Sequence, residues 1–194
     1  MPSSKKPHIL SIYSAKNSVF TIKDIALLWN EANAELVKRR LYRYVKSEKL
    51  YAIRRGLYAR DKNYSKFEVA TKIYTPSYIS FETVLARAGV VFQLYGQIFA
   101  ASYLTREITA DKQTYSYRKI KHSILTNHAG IEMKEHYFIA SPERAFLDTV
   151  YLRKGYHFDN LSPLDWNKVF EMLPIYGNKR MEKRVDEYYG AVKK

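Results

Sequence analysis

The chain has 194 residues, 46% of them hydrophobic and 27% charged, a balance that is typical of a folded globular protein and excludes intrinsic disorder. The absence of cysteine excludes disulfides, thiolate zinc sites and thiol catalysis, and it fits a cytoplasmic protein. The net charge is +14, and most of it lies in residues 1–62, where 14 basic residues accompany 5 acidic ones.

Positive charge concentrated in one third of a chain is typical of proteins that bind polyanions, because each neutralised phosphate releases condensed counterions. Charge alone leaves open two alternatives, a general solubility charge and binding to an anionic membrane surface. The pattern along the chain is needed to choose between them.

The first third of the chain predicts three helices. Apolar residues over 8–17 predict the first helix. Thr21 is the expected N-cap of the second, with Asp24 in the place of the capping-box acid and Phe20 packed over Ile25. Asn33 is the expected N-cap of the third helix, which covers residues 34–47.

The predicted third helix has two opposite faces. One is an apolar stripe formed by Leu36, Val37, Leu41, Tyr44 and Val45. The other is basic with one aromatic ring among the charges, and it consists of Lys38, Arg39, Tyr42, Arg43 and Lys46. Only Glu35 offers an acid nearby, and a face of one sign repels itself, so we expect an external anion to neutralise it.

Residues 49–59 predict a hairpin of two short strands, with Arg55-Gly56 at the turn and Arg54 and Arg55 near its tip. Helix, turn, helix and basic hairpin in this order predict a winged helix-turn-helix, in which the third helix enters the major groove and the hairpin reaches phosphate or the minor groove. The predicted DNA contacts are Lys38, Arg39, Tyr42, Arg43, Lys46, Arg54 and Arg55.

A second domain of mixed helices and strands is predicted from residue 63 on. Helices are expected over 66–74, 80–88, 165–173 and 179–189, and strands over 98–104, 114–125 and 132–139. Ser141-Pro142-Glu143 begins a further helix, with Ser141 as N-cap. Asp148 lies among apolar residues of that helix and predicts a half-buried structural carboxylate that holds a backbone group or an arginine, in preference to a catalytic acid.

One uncharged run, residues 88–105, reaches the length of a membrane span. Gln93, Gly96 and Gln97 interrupt it, so it predicts a buried turn followed by a strand. No apolar stretch suited to a signal peptide follows residues 1–7. Together these features predict a soluble cytoplasmic protein that does not enter a membrane.

Three segments resemble the AbiEi-like antitoxin family of type IV toxin–antitoxin systems, which act in abortive infection. Residues 53–58 (IRRGLY) resemble that family's wing, residues 75–85 (TPSYISFETVL) its "PSYIS…E…L" segment, and residues 140–148 (ASPERAFLD) its "SPE-(K/R)-A-x-LD" segment. The three occur in the family's order and cover roughly residues 18–152.

The resemblance implies an N-terminal winged helix that represses the protein's own operon as part of phage defence. It also implies a C-terminal domain that counters a nucleotidyltransferase-like toxin, in many cases without binding it stably. This chain would be a short variant, abbreviated beyond Asp148.

Other functions were weighed. Asp111 with Glu132 and Lys134 loosely follows the acid and E-x-K pattern of magnesium-dependent nucleases. A winged helix can also serve protein contact, and the tyrosines among the basic residues, Tyr42, Tyr44, Tyr51 and Tyr58, could stack on single-stranded RNA. No glycine-rich phosphate loop or histidine spacing suited to a metal is present, which favours a protein that is not an enzyme and carries no cofactor or metal.

The sequence as a whole predicts an α+β protein. A winged helix-turn-helix occupies residues 1–62 and a small mixed α/β domain occupies residues 63–194. The predicted function is sequence-specific repression of its own promoter at inverted repeats in double-stranded DNA, by a protein that is also an antitoxin.

Overall fold

A computed structural model describes residues 8–93 and 95–193, and the chain divides into two compact units, the first ending at Ile73 and the second beginning at Tyr74. Both mix helices and strands, each with its own sheet, as the predicted α+β class requires. The first seven residues, considered above for a signal peptide, lie outside the described ranges.

The elements of the first unit are α1 (His8–Ser14), β1 (Val19–Thr21), α2 (Ile22–Leu28), α3 (Ala34–Lys46), β2 (Tyr51–Arg54), β3 (Leu57–Ala59) and α4 (Lys66–Ile73). Its small antiparallel sheet has the order β1-β3-β2, with Phe20 opposite Tyr58 and Ala52 opposite Tyr58 on the other side. The sequence pattern did not predict β1, because three residues are too few to establish an alternation of apolar and polar side chains.

Both predicted caps are confirmed. The Thr21 hydroxyl accepts from Asp24 N at 3.1 Å, while the Asp24 carboxylate accepts from Thr21 N at 2.9 Å, which completes the capping box. The Asn33 side chain accepts from the backbone of Glu35 and Leu36 at the start of α3. These contacts satisfy N–H groups that have no partner inside their helices.

A hydrophobic core joins the three helices and the hairpin of the first unit. Its buried members are Ile12, Phe20, Ile25, Trp29, Val37, Leu41 and Leu50. From α3, the apolar stripe supplies Val37 and Leu41 with no exposed surface, and Tyr44 and Val45 pack partly against them. Burying this stripe orients the opposite face of α3 away from the core.

Helix α4 belongs to the first unit, whereas the sequence analysis placed residues 66–73 in the second domain. The reason is Glu68, which is 2% exposed and accepts from Ser18 N, Ser18 Oγ and Val19 N at 2.7 to 2.9 Å. Lys72 adds an ion pair with Asp24 at 2.7 Å. These contacts bridge about fifty residues of sequence and hold α4 against β1 and α2.

The second unit contains strands β4 (Ser77–Ile79), β5 (Gln97–Ser102), β6 (Arg106–Ala110), β7 (Gln113–Lys119), β8 (Ile131–Lys134) and β9 (Tyr137–Ala140). Its helices are α5 (Glu82–Arg87), α6 (His122–Leu125), α7 (Pro142–Leu152), α8 (Trp166–Met172) and α9 (Lys179–Val192), with a 3₁₀ turn over Leu173–Tyr176. The strands form one sheet in the order β6-β7-β5-β4-β9-β8, in which β5 with β7 and β4 with β9 are parallel pairs.

Two predicted strands are wrong in extent. The strand expected over 114–125 ends at Lys119 and is followed by α6, and the strand expected over 132–139 is the hairpin β8–β9 with Glu135 at a positive φ of 54° in the turn. Strands β4 and β6 were not predicted at all. The first is three residues long, and the second begins with the charged pair Arg106-Glu107, which does not follow a strand pattern of alternating apolar residues.

The uncharged run over 88–105 begins at Ala88, the C-cap of α5, and contains β5. Within the described residues, no helix combines the length and the apolarity that crossing a bilayer requires. The predicted cap of α7 is confirmed, since Ser141 Oγ accepts from Arg144 N at 3.2 Å and Pro142 occupies the first turn.

Candidate nucleic-acid interface

The five predicted contact residues of α3 lie on one exposed face. At 100° per residue, Lys38, Arg39, Tyr42, Arg43 and Lys46 occupy an arc of about 140°, and all five are exposed. The buried Val37 and Leu41 lie on the opposite side of the helix. The structure therefore brings these five residues together as a continuous surface about 12 Å long from Lys38 to Lys46.

Most of the positive charge on this face is not neutralised by residues that the structure describes. Lys38 Nζ lies 2.7 Å from Glu35, one turn earlier. Arg39, Arg43 and Lys46 make no ion pair with any residue in the described ranges. The neighbouring Arg40, which faces away from the arc, is bound by Glu31 at 3.1 Å.

The pKa values of two carboxylates of the first unit, Glu35 and Asp24, are both lowered. The hydrogen bond from Lys38, with its positive charge, lowers the pKa of Glu35, and Arg39 adds to the same effect. Burial would raise the pKa of Asp24, but the hydrogen bond from Lys72 and the capping bond from Thr21 lower it overall. Both carboxylates are thus ionised at neutral pH, and each binds one lysine and not Arg39 or Arg43 of α3.

Tyr42 is the aromatic residue of this face, and 68% of its surface is exposed. Of the other tyrosines considered for RNA stacking, Tyr44 and Tyr58 pack partly against the core, and Tyr51 stacks on Tyr64 at 6.2 Å between ring centres. Among these four tyrosines, only Tyr42 therefore has a ring exposed enough for a base to stack on it.

The hairpin β2–β3 lies directly after α3 in the chain. Lys49 N and Leu50 N both donate to Tyr44 O, at 2.9 and 3.2 Å, which fixes the direction in which the chain leaves the helix. Arg54 and Arg55 are exposed at the end of the hairpin and have no ion pair within the described part of the chain. Gly56 has φ +83°, a conformation that L side chains rarely adopt, so the turn requires glycine there.

The structure does not assemble the nuclease residues. Asp111 occupies the turn between β6 and β7, whereas Glu132 and Lys134 lie on β8 at the opposite edge of the sheet. Five strand spacings of about 4.8 Å separate the two edges, so the carboxylates are roughly 24 Å apart across the sheet. Such a distance is too great for shared coordination of one Mg²⁺.

Asp148 is fully buried, where the sequence indicated a half-buried side chain, and an arginine, Arg144, lies against it as expected. Its oxygens accept from the hydroxyls of Tyr78, Ser80 and Tyr176 at 2.7 to 2.9 Å. Arg144, also without exposed surface, lies 3.4 Å from it. Burial raises the pKa of Asp148, while Arg144 and the three hydroxyls act in the opposite direction.

Arg144 is held on every side. Its guanidinium donates to the backbone oxygens of Ala129 and Ile124 at 2.8 and 2.7 Å, and to the Tyr78 hydroxyl at 3.1 Å. The sequence places Arg144 one turn before Asp148. It does not show that Tyr78 of β4 and Tyr176 of the 3₁₀ turn bind this pair. The network leaves no open position for a substrate.

A second group of charged residues was not singled out from the sequence. Glu82, Arg118 and Arg153 come from α5, β7 and the end of α7, and they meet beside an open cavity of about 660 Å³ in the second unit. Their separation of up to 71 residues in the chain leaves no local pattern to detect.

A scan of the sequence against protein-family models finds no match, and a search of curated proteins finds no significant relative.

Proposed function

We propose that this protein is a sequence-specific DNA-binding repressor and that its first unit is a winged helix-turn-helix. The single observation that carries the proposal is the exposed basic face of α3, in which Arg39, Arg43 and Lys46 have no ion pair among the described residues. A cationic surface without internal counter-charges is the electrostatic footprint of a nucleic-acid interface.

The order of elements supports this assignment. Helices α1, α2 and α3 are followed by the hairpin β2–β3, and β3 also pairs with β1 between the first two helices. In winged helix-turn-helix proteins the last of three helices enters the major groove and the hairpin contacts the adjacent backbone or minor groove. The basic surface of α3, about 12 Å long, matches a major groove about 12 Å wide.

Each residue of the interface has a proposed role. Arg39 and Arg43 can donate two parallel hydrogen bonds to guanine or to phosphate, and Tyr42 can donate to phosphate or contact a base. Lys38 and Lys46 supply charge at the two ends of the surface. Arg54 and Arg55 reach the phosphate backbone or the minor groove from the hairpin.

We further propose that the repressor is the antitoxin of a type IV system, with a nucleotidyltransferase-like toxin as its functional partner. The support for this role is the sequence resemblance in residues 53–58, 75–85 and 140–148. It predicts a toxin gene beside this one, and growth arrest by that toxin should be relieved when this protein is produced with it. Undiminished growth arrest at matched toxin levels would contradict the antitoxin role. It would not bear on the repressor proposal.

The first test of DNA binding measures fluorescence anisotropy with the DNA upstream of the protein's own gene and with a scrambled duplex, at about 50 mM and about 200 mM salt. We expect tighter binding to the upstream DNA and a loss of affinity by roughly a factor of 10³ or more as salt rises, if six or more phosphates are contacted.

The double variant Arg54→Ala/Arg55→Ala tests the hairpin and should weaken binding at both salt concentrations. Its charge-matched control is Lys179→Ala/Arg180→Ala, two exposed residues at the start of α9 in the second unit, which should leave the affinity nearly unchanged. Equal, weak binding of the unaltered protein to both duplexes would overturn the repressor proposal and favour a protein-contact role for the first unit.

A further inference from the structure

The second unit contains an open cavity of about 660 Å³ on one face of its sheet. Strands β5, β6 and β7 form its floor, with Glu82 of α5 and Arg153 after α7 at its wall. This volume lies within the range of sites that hold small molecules.

The charged residues at the cavity wall carry more positive than negative charge. Three arginines, Arg106, Arg118 and Arg153, line it with two acids, Glu82 and Glu107. Glu82 is 1% exposed, and both of its oxygens are bound by Arg118 at 2.6 and 3.1 Å, while Arg153 lies 3.2 Å from one of them. One buried carboxylate thus faces two guanidinium groups, and with Arg106 and Glu107 included the five charged lining residues sum to +1.

Arg118 is fixed before any ligand arrives. Its guanidinium is bound by Glu82 at two points and lies over the rings of Phe81 and Phe99, at 4.9 and 4.3 Å from their centres. A side chain held this way has already lost its rotamer freedom, so an anion that binds it incurs little further cost in entropy.

Arg153 is the accessible member of the pair. It is held by its charge contact with Glu82 and by the ring of Tyr156 at 5.4 Å, and its side chain is 46% exposed. Among the described residues, only Glu82 and the Tyr156 ring contact its guanidinium, so the N–H groups that do not face Glu82 are open to a ligand. Arginine in such a position suits phosphate or carboxylate, which it can bind through two parallel hydrogen bonds.

Aromatic side chains complete the lining. Tyr95, with 38% of its surface exposed, lies edge-on to Phe99 at 5.4 Å, and both residues line the cavity. A planar ring can pack against such side chains while its anionic group reaches the arginines.

From these observations we propose that this cavity binds a phosphorylated ligand of mononucleotide size, with its phosphate at Arg153 and Arg118 and its planar ring beside Tyr95. The site is independent of the DNA-binding surface proposed for the first unit. It is tested by ligand affinity alone, so its failure and the failure of the repressor proposal are separate results.

The experiment is isothermal titration calorimetry of the full chain with AMP, ATP and inorganic phosphate. We expect AMP or ATP to bind with a Kd below about 1 mM and inorganic phosphate to bind more weakly, because it lacks the ring. Arg153→Ala should weaken nucleotide binding at least about tenfold, since it removes charge-assisted hydrogen bonds. Lys154→Ala, the same charge change at the next exposed residue, should leave the affinity unchanged.

Three outcomes would overturn all or part of the proposal. No heat of binding with any of the three probes at millimolar concentration, or equal affinity in Arg153→Ala and the unaltered protein, would overturn the site as a whole. Phosphate binding as tight as AMP binding would overturn the assignment of the ring. Circular dichroism checks that Arg153→Ala is still folded. We expect it to be, because the Arg153 side chain is 46% exposed.

Discussion

At the scale of single residues, neighbouring lysines and arginines on the same helix face are not equivalent. Lys38 lies 2.7 Å from Glu35, whereas Arg43 has no ion pair within the described residues. An internal carboxylate competes with phosphate for the lysine, so the two side chains should differ in what they contribute to DNA binding even though both are exposed.

We therefore expect Arg43→Ala to weaken DNA binding more than Lys38→Ala. If Arg43 contacts one phosphate, its loss lowers the slope of log K against log salt by about one. Lys38→Ala should change the slope by less, and Glu35→Gln should raise the affinity because it releases Lys38 and removes a negative charge from the face. Salt titrations of the three variants measure these effects, and equal losses for Lys38→Ala and Arg43→Ala would contradict the role assigned to Glu35.

At the scale of secondary-structure elements, a buried carboxylate decides where the first unit ends. Glu68 on α4 accepts three hydrogen bonds from Ser18 and from Val19, the first residue of β1. Because β1 pairs with β3 of the hairpin, α4 supports the strand on which that hairpin rests. A fragment that stops at residue 62 would lack this support.

The corresponding prediction concerns Glu68→Ala. The buried Val19 N–H and the Ser18 groups lose a charged acceptor, and we expect the first unit to lose roughly 2–4 kcal/mol of stability. Urea unfolding can be followed through Trp29 in a Trp166→Phe background, since these are the two tryptophans of the chain and they lie in different units. Removal of an exposed acid, in Glu35→Ala, should change stability far less, and a similarly small effect for Glu68→Ala would refute this structural role.

At the scale of the whole molecule, the two units have different kinds of interior. The first unit is held by an aliphatic and aromatic core and by the hydrogen bonds of the buried Glu68. The second contains the buried network of Asp148, Arg144, Tyr78 and Tyr176. Burial, with the negative charge of Asp148, raises the pKa of both tyrosines well above 10.0.

These shifts predict that alkaline pH destabilises the second unit. A tyrosine whose pKa is raised by folding ionises first in the unfolded chain, so the stability it contributes is complete below pH 10 and declines as pH rises above it. Two such groups give a slope approaching about 2.7 kcal/mol per pH unit above pH 10. This slope is measured by urea unfolding at increasing pH, monitored through Trp166 in a Trp29→Phe background.

The matched variant is Tyr176→Phe, which removes one of the two titrating hydroxyls. It should reduce the alkaline slope by up to about 1.4 kcal/mol per pH unit, although the variant is less stable at neutral pH because Asp148 loses a donor. An unchanged slope would show that these tyrosines do not dominate the alkaline transition.

The features determined by the sequence itself are those fixed by neighbours within about one helical turn. The capping box of Thr21 and Asp24, the caps Asn33 and Ser141, and the turn at Gly56 follow from local hydrogen bonding and backbone preference. The two faces of α3 follow in the same way from helical periodicity, and its five predicted contact residues are exposed, as are Arg54 and Arg55 of the hairpin.

The tertiary structure alone decided the features that depend on partners far apart in the chain. Strands β1, β4 and β6 are too short or too polar to be recognised without the strands they pair with. Glu68 meets Ser18 across fifty residues, Asp148 is sealed by Tyr78 and Tyr176, and Glu82 gathers Arg118 and Arg153 beside the cavity. A side chain's burial and its hydrogen-bond partners are properties of the folded chain, and no local period in the sequence encodes them.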